Sequence, residues 1–209
     1  MEKVKLQYGC GLFAPENWLN YDSSLTLKMQ RIPLLGNLVP SGPFGRFPKN
    51  VKVGDIVKGL PEKEGTVDLI YCSHVLEHLT FEEFHRALEN TYSLLKPGGT
   101  FRLVLPDLEA KAKAYIDSKD PEAIHSFMEE TYLGKRSRSR SIRGILHEFY
   151  RNDQHFWMWD CKSMKKALED AGFKSVRRAY FNDSEIPDFK EVEELRRWKD
   201  ELGVECQKP

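Results

Sequence analysis

Two glycines and a carboxylate near the start of the chain have the residue types and spacing of a nucleotide-binding site. Gly9 and Gly11 close a short apolar run, and Asp22 closes the next one. Glycines let the backbone approach a ligand closely, and an acid after the second strand accepts hydrogen bonds from ribose hydroxyls. Only ten residues separate Gly11 from Asp22, too few for a crossover helix, and a third glycine is missing. The pattern favours a nucleoside without a diphosphate over a dinucleotide.

A second pattern, His74-Val75-Leu76-Glu77-His78, is that of inverted zinc peptidases. Two histidines four apart on one helix face could bind zinc, with the glutamate as general base. This pattern directly follows a predicted strand, and the clear helix signal begins only at Thr80. We therefore predict no metal ligands, and a zinc-dependent peptidase using His74, Glu77 and His78 is kept as an alternative.

Residues 135–143 carry five basic residues in nine, with serines between them. This segment is either a solvated surface loop or an electropositive lid over an anionic substrate such as a phosphorylated sugar. RNA-binding segments interleave aromatic residues with the charges, and this one has none, so a nucleic acid partner is not expected. A nearby aromatic cluster is either core or the wall of a substrate cleft: Phe149, Tyr150, Phe156, Trp157 and Trp159.

The elements that must position these residues follow from the hydrophobic pattern. Short apolar runs alternate with helical patterns in the first half, which indicates a parallel sheet with crossover helices. Thr80 and Glu83 form a capping box at the start of a helix that ends at 96–99, and Asp160 caps a later helix that ends at Gly172. A long helical stretch is predicted over 109–133. Strands are predicted at 4–8, 18–21, 50–53, 66–72, 101–105, 175–181 and 202–207.

Length and composition predict a single domain over residues 1–209, with a substrate-cap insertion at about 109–160. Lys plus Arg and Asp plus Glu number 32 each, so no global field attracts the chain to nucleic acid or anionic lipid. We expect no membrane span, because no stretch approaches the roughly 18 apolar residues required. The start lacks the features of a secretory signal, and the four cysteines are scattered, which predicts free thiols in the cytoplasm. The oligomeric state is not predicted.

The ordered set of motifs resembles class I S-adenosylmethionine-dependent methyltransferases, and is most similar to a bacterial, type-11-like branch with a short first crossover. The likeness covers nearly the whole chain, at residues 6–11, 18–22, 54–61, 67–79, 94–104, 164–173 and 202–208. It implies an α/β fold, a Rossmann-like doubly wound sheet of about seven mostly parallel strands with the last one antiparallel. It also implies S-adenosylmethionine as the cofactor.

The resemblance implies cofactor-binding roles for a set of strand-end residues: Tyr8, Gly9, Cys10, Gly11, Asp22, Asp55, Ile56, Ser73 and His74. The glycine turn would line the methionine portion of the cofactor, Asp22 would hold the ribose, and Asp55 would accept from the adenine amino group. Ile56 would lie against the adenine ring, and Ser73 and His74 would lie under the sulfonium. The family often has an acid where this chain has Gln7. That departure and the missing third glycine leave a non-catalytic nucleotide-binding module as a second alternative.

Methyl transfer is an in-line displacement at an activated carbon, so the protein mainly supplies alignment and desolvation. An acceptor oxygen can also need a base. His74, Asp107 and His155 are the catalytic candidates, by their position at a strand end or in the predicted cap. The predicted partner is a small-molecule methyl acceptor, anionic or sugar-containing, whose identity the sequence does not give.

Overall fold

The computed structural model describes residues 2–34, 36, 45–134 and 154–209. The basic segment 135–143, Phe149 and Tyr150 lie outside the described residues. The described part contains a seven-stranded sheet in the order β3-β2-β1-β4-β5-β7-β6. Its strands are β1 Lys5–Tyr8, β2 Leu19–Asp22, β3 Val51–Val53, β4 Val67–Ser73, β5 Leu95–Pro106, β6 Lys174–Ala179 and β7 Glu201–Gln207.

The strand pairing confirms the predicted Rossmann-like sheet. The pairs from β3 through β5 are parallel, and β7 runs antiparallel to both of its neighbours, β5 and β6. The order reverses beside β1, because β2 lies on one side of it and β4 on the other. Ligands of such sheets bind outside the carboxyl ends of the strands at this reversal.

Six α-helices accompany the sheet in the described residues. They are α1 Leu25–Gln30, α2 Phe81–Leu94, α3 Leu108–Asp117, α4 Ala123–Glu130, α5 Cys161–Asp170 and α6 Leu195–Trp198, with single 3-10 turns at Leu76–His78 and Pro187–Glu191. The predicted capping box of α2 is confirmed, because the Thr80 and Glu83 side chains each accept from the other residue's backbone N–H. The predicted cap of α5 is confirmed too, since the Asp160 side chain accepts from Ser163 N at 2.7 Å. Both helices therefore begin where local side chains satisfy free donors.

Two predicted elements differ from the structure. The helix expected over 109–133 is broken into α3 and α4, because the Ser118 and Asp120 side chains hydrogen-bond to backbone N–H groups two residues ahead and Pro121 disfavours a helical Asp120. Strand β5 begins at Leu95, earlier than predicted. Gly98 and Gly99 are predicted only to end α2, but in the structure they belong to β5. Gly98 N donates to the Lys208 carbonyl at 2.7 Å.

The sheet is buried on both faces, as a mostly parallel sheet requires. Alternate residues of β4 belong to different clusters: Ile70 and Cys72 pack with α2 and α5, and Leu69 and Tyr71 pack with residues 181–198. The second covering, residues 180–199, connects β6 to β7 and is called here the roof segment. It brings the 3-10 turn at Pro187–Glu191 and helix α6 over the sheet.

A fully buried arginine holds the roof segment to the sheet. Arg102 on β5 has no exposed surface and forms ion pairs with Glu193, Asp183 and Glu205, the last two at 2.9 Å. Its guanidinium also lies 4.5 Å from the centre of the Trp198 ring. Buried charges are tolerated when they are paired and fully hydrogen-bonded. Arg102 thereby fixes α6 over the carboxyl-end half of the sheet.

No helix in the described ranges combines the length and apolar character needed to cross a membrane.

Candidate active site

The glycine turn after β1 has the backbone conformation that the sequence pattern predicts. Gly9 and Gly11 have φ of 69° and 56°, in the left-handed region that favours glycine. A Cβ on Gly9 would lie 2.0 Å from Val75 Cγ2, so no side chain fits between this turn and the residues that follow β4. Both conformation and packing therefore require glycine at position 9.

Asp22 holds the glycine turn against the end of β2. Its Oδ2 accepts from Gly11 N at 3.0 Å, and its Oδ1 accepts from Ser24 N at 2.8 Å. The residue is nearly buried. Each carboxylate oxygen can accept more than one hydrogen bond, so these two bonds leave acceptor capacity for a ligand hydroxyl.

Gln7, which departs from the family pattern, has a structural reason to be an amide. Its Nε2 donates to Asn20 Oδ1 at 2.6 Å and to the Phe13 carbonyl at 2.9 Å. An ionised acid has no proton to donate to either acceptor. The amide therefore connects β1 to β2 and to the loop after the glycine turn.

The predicted adenine-side residues lie after β3. Asp55 Oδ1 accepts from Val57 N at 3.0 Å, and the carboxylate is half-buried. Ile56 is buried and packs in the core with Leu60. Tyr8 and Cys10 are buried as well. Burial raises the pKa of the Cys10 thiol to about 12, with the charge of Asp22 acting in the same direction, so the thiol is protonated at neutral pH.

His74, directly after β4, is held through both of its ring nitrogens. It has φ of 52°, Nδ1 lies 3.2 Å from Glu77 Oε1, and Nε2 lies 3.0 Å from the Arg197 carbonyl. Burial alone lowers the pKa of His74, but the hydrogen bond and charge of Glu77 outweigh it and raise the pKa above its ordinary value. Both partners are acceptors, so this arrangement is satisfied in full only by a doubly protonated ring.

The helical zinc-peptidase pattern is not formed. Residues Leu76–His78 make one 3-10 turn and His74 lies outside it, so its ring and that of His78 do not share a helix face. Both nitrogens of His74 also have other partners. The zinc-peptidase alternative, as the sequence pattern defined it, is therefore wrong.

None of the three catalytic candidates, His74 included, lines the pocket at the glycine turn. Asp107 is buried and caps α3 through Ala110 N, and it pairs with Arg178 at 2.7 Å. His155 is buried, its ring centre is 5.0 Å from that of His78, and burial lowers its pKa. Neither residue lines the pocket at the glycine turn. Their catalytic role stays a prediction.

Of the predicted cofactor residues, Tyr8, Gly9, Cys10 and Ser73 line one small pocket at the carboxyl ends of β1 and β4. The roof segment completes this pocket with Val192, Glu194 and Arg197.

Arg197 is the cation of this pocket, and the sequence did not predict it. It donates to the Ser73 hydroxyl at 3.2 Å and to the Ser73 carbonyl at 3.3 Å, and its Nε lies 3.3 Å from Glu194 Oε2. A Cβ on Gly11 would lie 3.4 Å from its terminal nitrogen. A cation therefore lies between the glycine turn and the end of β4. Its helix α6 has only four residues, too few for a periodic sequence signal.

Comparison with known proteins gives the family. Residues 11–178 match the family model described as a methyltransferase domain, so the chain belongs to that family. This confirms the predicted class, a class I S-adenosylmethionine-dependent methyltransferase, and with it the predicted cofactor. No curated protein sequence matches the chain significantly.

Solved structures are similar to the fold at low sequence identity. An S-adenosylmethionine-dependent methyltransferase from Thermotoga maritima has a TM-score of 0.52 at 16% identity, covering 100% of this chain and 84% of its own. One from Archaeoglobus fulgidus has a TM-score of 0.50 at 17% identity, covering 99% and 86%. Haemonchus contortus phosphoethanolamine N-methyltransferase 2, in complex with S-adenosylmethionine, has a TM-score of 0.50 at 13% identity, covering 100% and 50%. These similarities show the fold and do not identify a substrate.

Proposed function

We propose that this enzyme transfers a methyl group from S-adenosylmethionine to a small-molecule acceptor that is anionic or contains a sugar. One observation carries the cofactor part of the proposal. The left-handed glycine turn, the end of β4 and a cation from the roof segment line the same pocket at the strand ends. A zwitterionic nucleoside needs this combination of close backbone approach and local positive charge.

Each end of the cofactor has a matching group in the proposed site. The Arg197 guanidinium binds the methionine carboxylate. It lines the pocket, and its hydrogen bond to the Ser73 hydroxyl holds the positive charge there. The backbone of the glycine turn lies along the methionine portion, and Asp22 accepts from the ribose. Asp55 accepts from the adenine amino group, with Ile56 against the ring.

Catalysis by this chain then rests mainly on alignment. When bound, S-adenosylmethionine supplies a methyl carbon already activated by its sulfonium. Ser73 lines the pocket at the end of β4 and His74 directly follows it in the chain, so these two residues would align the acceptor and exclude water. Both ring nitrogens of His74 face acceptor oxygens of the chain, so a doubly protonated ring would contribute positive charge here and would have no free nitrogen to remove a proton. Asp107 and His155 remain the alternative bases.

The anionic character of the acceptor rests on the sequence of residues 135–143, with five cations in nine residues. It is tested by a panel of phosphorylated and neutral sugars, with methylated product detected by mass spectrometry. We expect turnover of phosphorylated acceptors and little turnover of neutral ones. Turnover of neutral acceptors alone would contradict this part of the proposal.

A triple variant separates the acceptor from the cofactor. Replacing Arg136, Arg138 and Arg140 with Ser should raise the KM for an anionic acceptor and leave cofactor affinity unchanged. The effect should shrink as salt rises, because screening acts over about 8–10 Å at physiological ionic strength. Parental kinetics at low salt would remove the basic segment from acceptor binding.

A further inference from the structure

One cluster of ligand-bearing side chains includes Glu77, the partner of His74, and none of its members lines the proposed cofactor pocket. Among the described residues, Glu77, His78 and His155 form a group whose ligand atoms all lie within 4.8 Å of one another. Glu77 is fully buried, and His155 is 8% exposed. The three residues come from the turn after β4 and from the segment that precedes α5.

Two atoms in this cluster are buried and have no hydrogen-bond partner among the described residues. They are Glu77 Oε2 and His155 Nδ1. An unsatisfied buried polar atom costs about 1–3 kcal/mol, and more if it is charged. A carboxylate oxygen and an imidazole nitrogen without partners, in a group whose ligand atoms lie within 4.8 Å of one another, can both be satisfied by one bound cation.

The remaining polar atoms of the cluster are occupied in the way that metal ligands usually are. Glu77 Oε1 is bonded to His74 Nδ1, which leaves Oε2 for an ion. His78 Nδ1 donates to the Gln154 carbonyl at 3.0 Å, which leaves Nε2, 4.0 Å from Glu77 Oε1, as the nitrogen that a metal ion would use. Outer partners of this kind fix the tautomer and orientation of ligating side chains.

Backbone hydrogen bonds hold the two contributing segments together. Phe156 N and Trp157 N donate to the Glu77 carbonyl at 2.9 and 3.3 Å. The rings of His155 and Tyr132 also pack at 4.7 Å. The ligand set is thus positioned by the folded chain before any ion arrives, which lowers the cost of ordering it.

We propose that Glu77, His78 and His155 bind a divalent first-row transition-metal ion. Two imidazoles and one carboxylate suit ions of this class, and three protein ligands leave coordination positions open for water or an acceptor oxygen. Metal–ligand bonds of about 2.0–2.2 Å require the side chains to move together by about 1 Å. This departs from the prediction of no metal ligands, and the set differs from the peptidase pattern because His155 replaces His74.

The test is a metal titration of the full chain after chelation and removal of the chelator. Calorimetry with Zn²⁺ and Mn²⁺, and visible absorption with Co²⁺, should report one ion per chain, and the ion should raise Tm. Glu77→Gln and His78→Gln should each weaken binding at least about tenfold, and His155→Gln likewise, because each removes one of three ligands. His125→Gln is the matched control, because His125 is exposed on α4 and pairs only with Glu122 in the described residues.

Three outcomes would overturn the proposal. The first is that the parent chain binds no ion stoichiometrically, and the second is that binding survives all three substitutions. The third is a thiolate-to-cobalt absorption band, which would assign the ion to a cysteine such as the partly exposed Cys161. Circular dichroism identifies a variant that fails to fold, and His78→Gln, at a side chain that is 25% exposed, is the one least affected by burial. Metal binding is measured without the cofactor. The metal proposal and the cofactor proposal are therefore tested separately, and either one can fail while the other holds.

Discussion

The guanidinium of Arg197 donates to both the hydroxyl and the carbonyl of Ser73, at 3.2 and 3.3 Å, across a separation of 124 residues in the chain. The end of β4 and the roof segment therefore form one wall of the pocket. The strand end alone supplies no cation there. The charge comes from a short helix held in place by Trp198, whose indole N–H donates to the Tyr71 hydroxyl at 3.0 Å.

Arg197→Met should weaken binding of S-adenosylhomocysteine at least about tenfold, since a hydrogen bond to a charged group contributes about 1.5–3 kcal/mol. Binding of 5′-methylthioadenosine, which lacks the amino acid carboxylate, should change little. Calorimetry measures both. Arg196→Met is the matched control, because Arg196 lies on the same helix, is 75% exposed and also pairs with Glu194. An equal loss for the two ligands would assign Arg197 a structural role only.

S-adenosylhomocysteine should raise Tm by about 5–10 °C at 100 times its Kd, because a ligand that binds only the folded state then contributes about 2.7 kcal/mol. Differential scanning calorimetry measures the shift. A dinucleotide such as NAD should give none, since the short connection from Gly11 to Asp22 lacks the third glycine for a diphosphate. An unchanged Tm with the first ligand would contradict the assigned cofactor pocket.

Asp22→Asn should reduce both cofactor affinity and stability. The amide keeps one acceptor oxygen, so either Gly11 N or Ser24 N loses its partner, at a cost of about 1–3 kcal/mol in the free energy of unfolding. Asp55→Asn is the comparison variant. It should lower cofactor affinity and barely change the free energy of unfolding, because Asp55 is half-buried and accepts one backbone hydrogen bond. Urea unfolding and calorimetry separate the two effects. Parental affinity in the Asp22 variant would leave Asp22 as a turn residue alone.

Gly9→Ala should destabilise the fold more than Gly65→Ala does. Both glycines are left-handed, with φ of 69° and 65°, so alanine costs each about 1–2 kcal/mol. Only at Gly9 would the new Cβ overlap another side chain, which adds about 1–3 kcal/mol, whereas Gly65 has no atom within 4 Å of that position. The double variant Gly9→Ala with Val75→Ala should recover part of the loss. Equal losses in the two single variants would show that the overlap relaxes freely.

Arg102→Met should lower the free energy of unfolding by about 3–5 kcal/mol, because it leaves buried carboxylates without their cation. Arg177→Met is the control, since Arg177 pairs with Asp183 and Glu205 too but is 39% exposed, where an ion pair contributes about 0–1 kcal/mol. Thermal or urea unfolding measures both. A loss below 1 kcal/mol for Arg102→Met would mean that the carboxylates rehydrate without opening the roof segment.

The strands and the glycine turn were predictable from the sequence because their signals are local. Buried runs such as 67–73 read as strands without any tertiary information, and Thr80 with Glu83 marks the start of α2 within four residues. The glycine pattern is likewise local: Gly9 and Gly11, two positions apart, both adopt the left-handed turn and allow a ligand to approach the backbone.

The pocket cation and the third member of the proposed metal site were not predictable, because each depends on residues that are far apart in the chain. Arg197 meets Ser73 only through the fold, and His155 meets Glu77 from 78 positions away. Arg102 lies in an apolar run where a single charge reads as a solvent-facing residue, and its burial depends on three carboxylates that come later in the sequence. Strand-end position identified Asp107, but gave no sign that Arg178 and α3 use its carboxylate.

The contact between Gly9 and Val75 has a thermodynamic consequence. Val75 directly precedes the 3-10 turn that carries Glu77 and His78, and a Cβ on Gly9 would lie 2.0 Å from its Cγ2, so this segment packs closely against the glycine turn. Packed groups without slack shift together or not at all. If an ion that binds one turn shifts the other, the coupling free energy is shared, and the nucleoside must then change the affinity for the ion by the same factor.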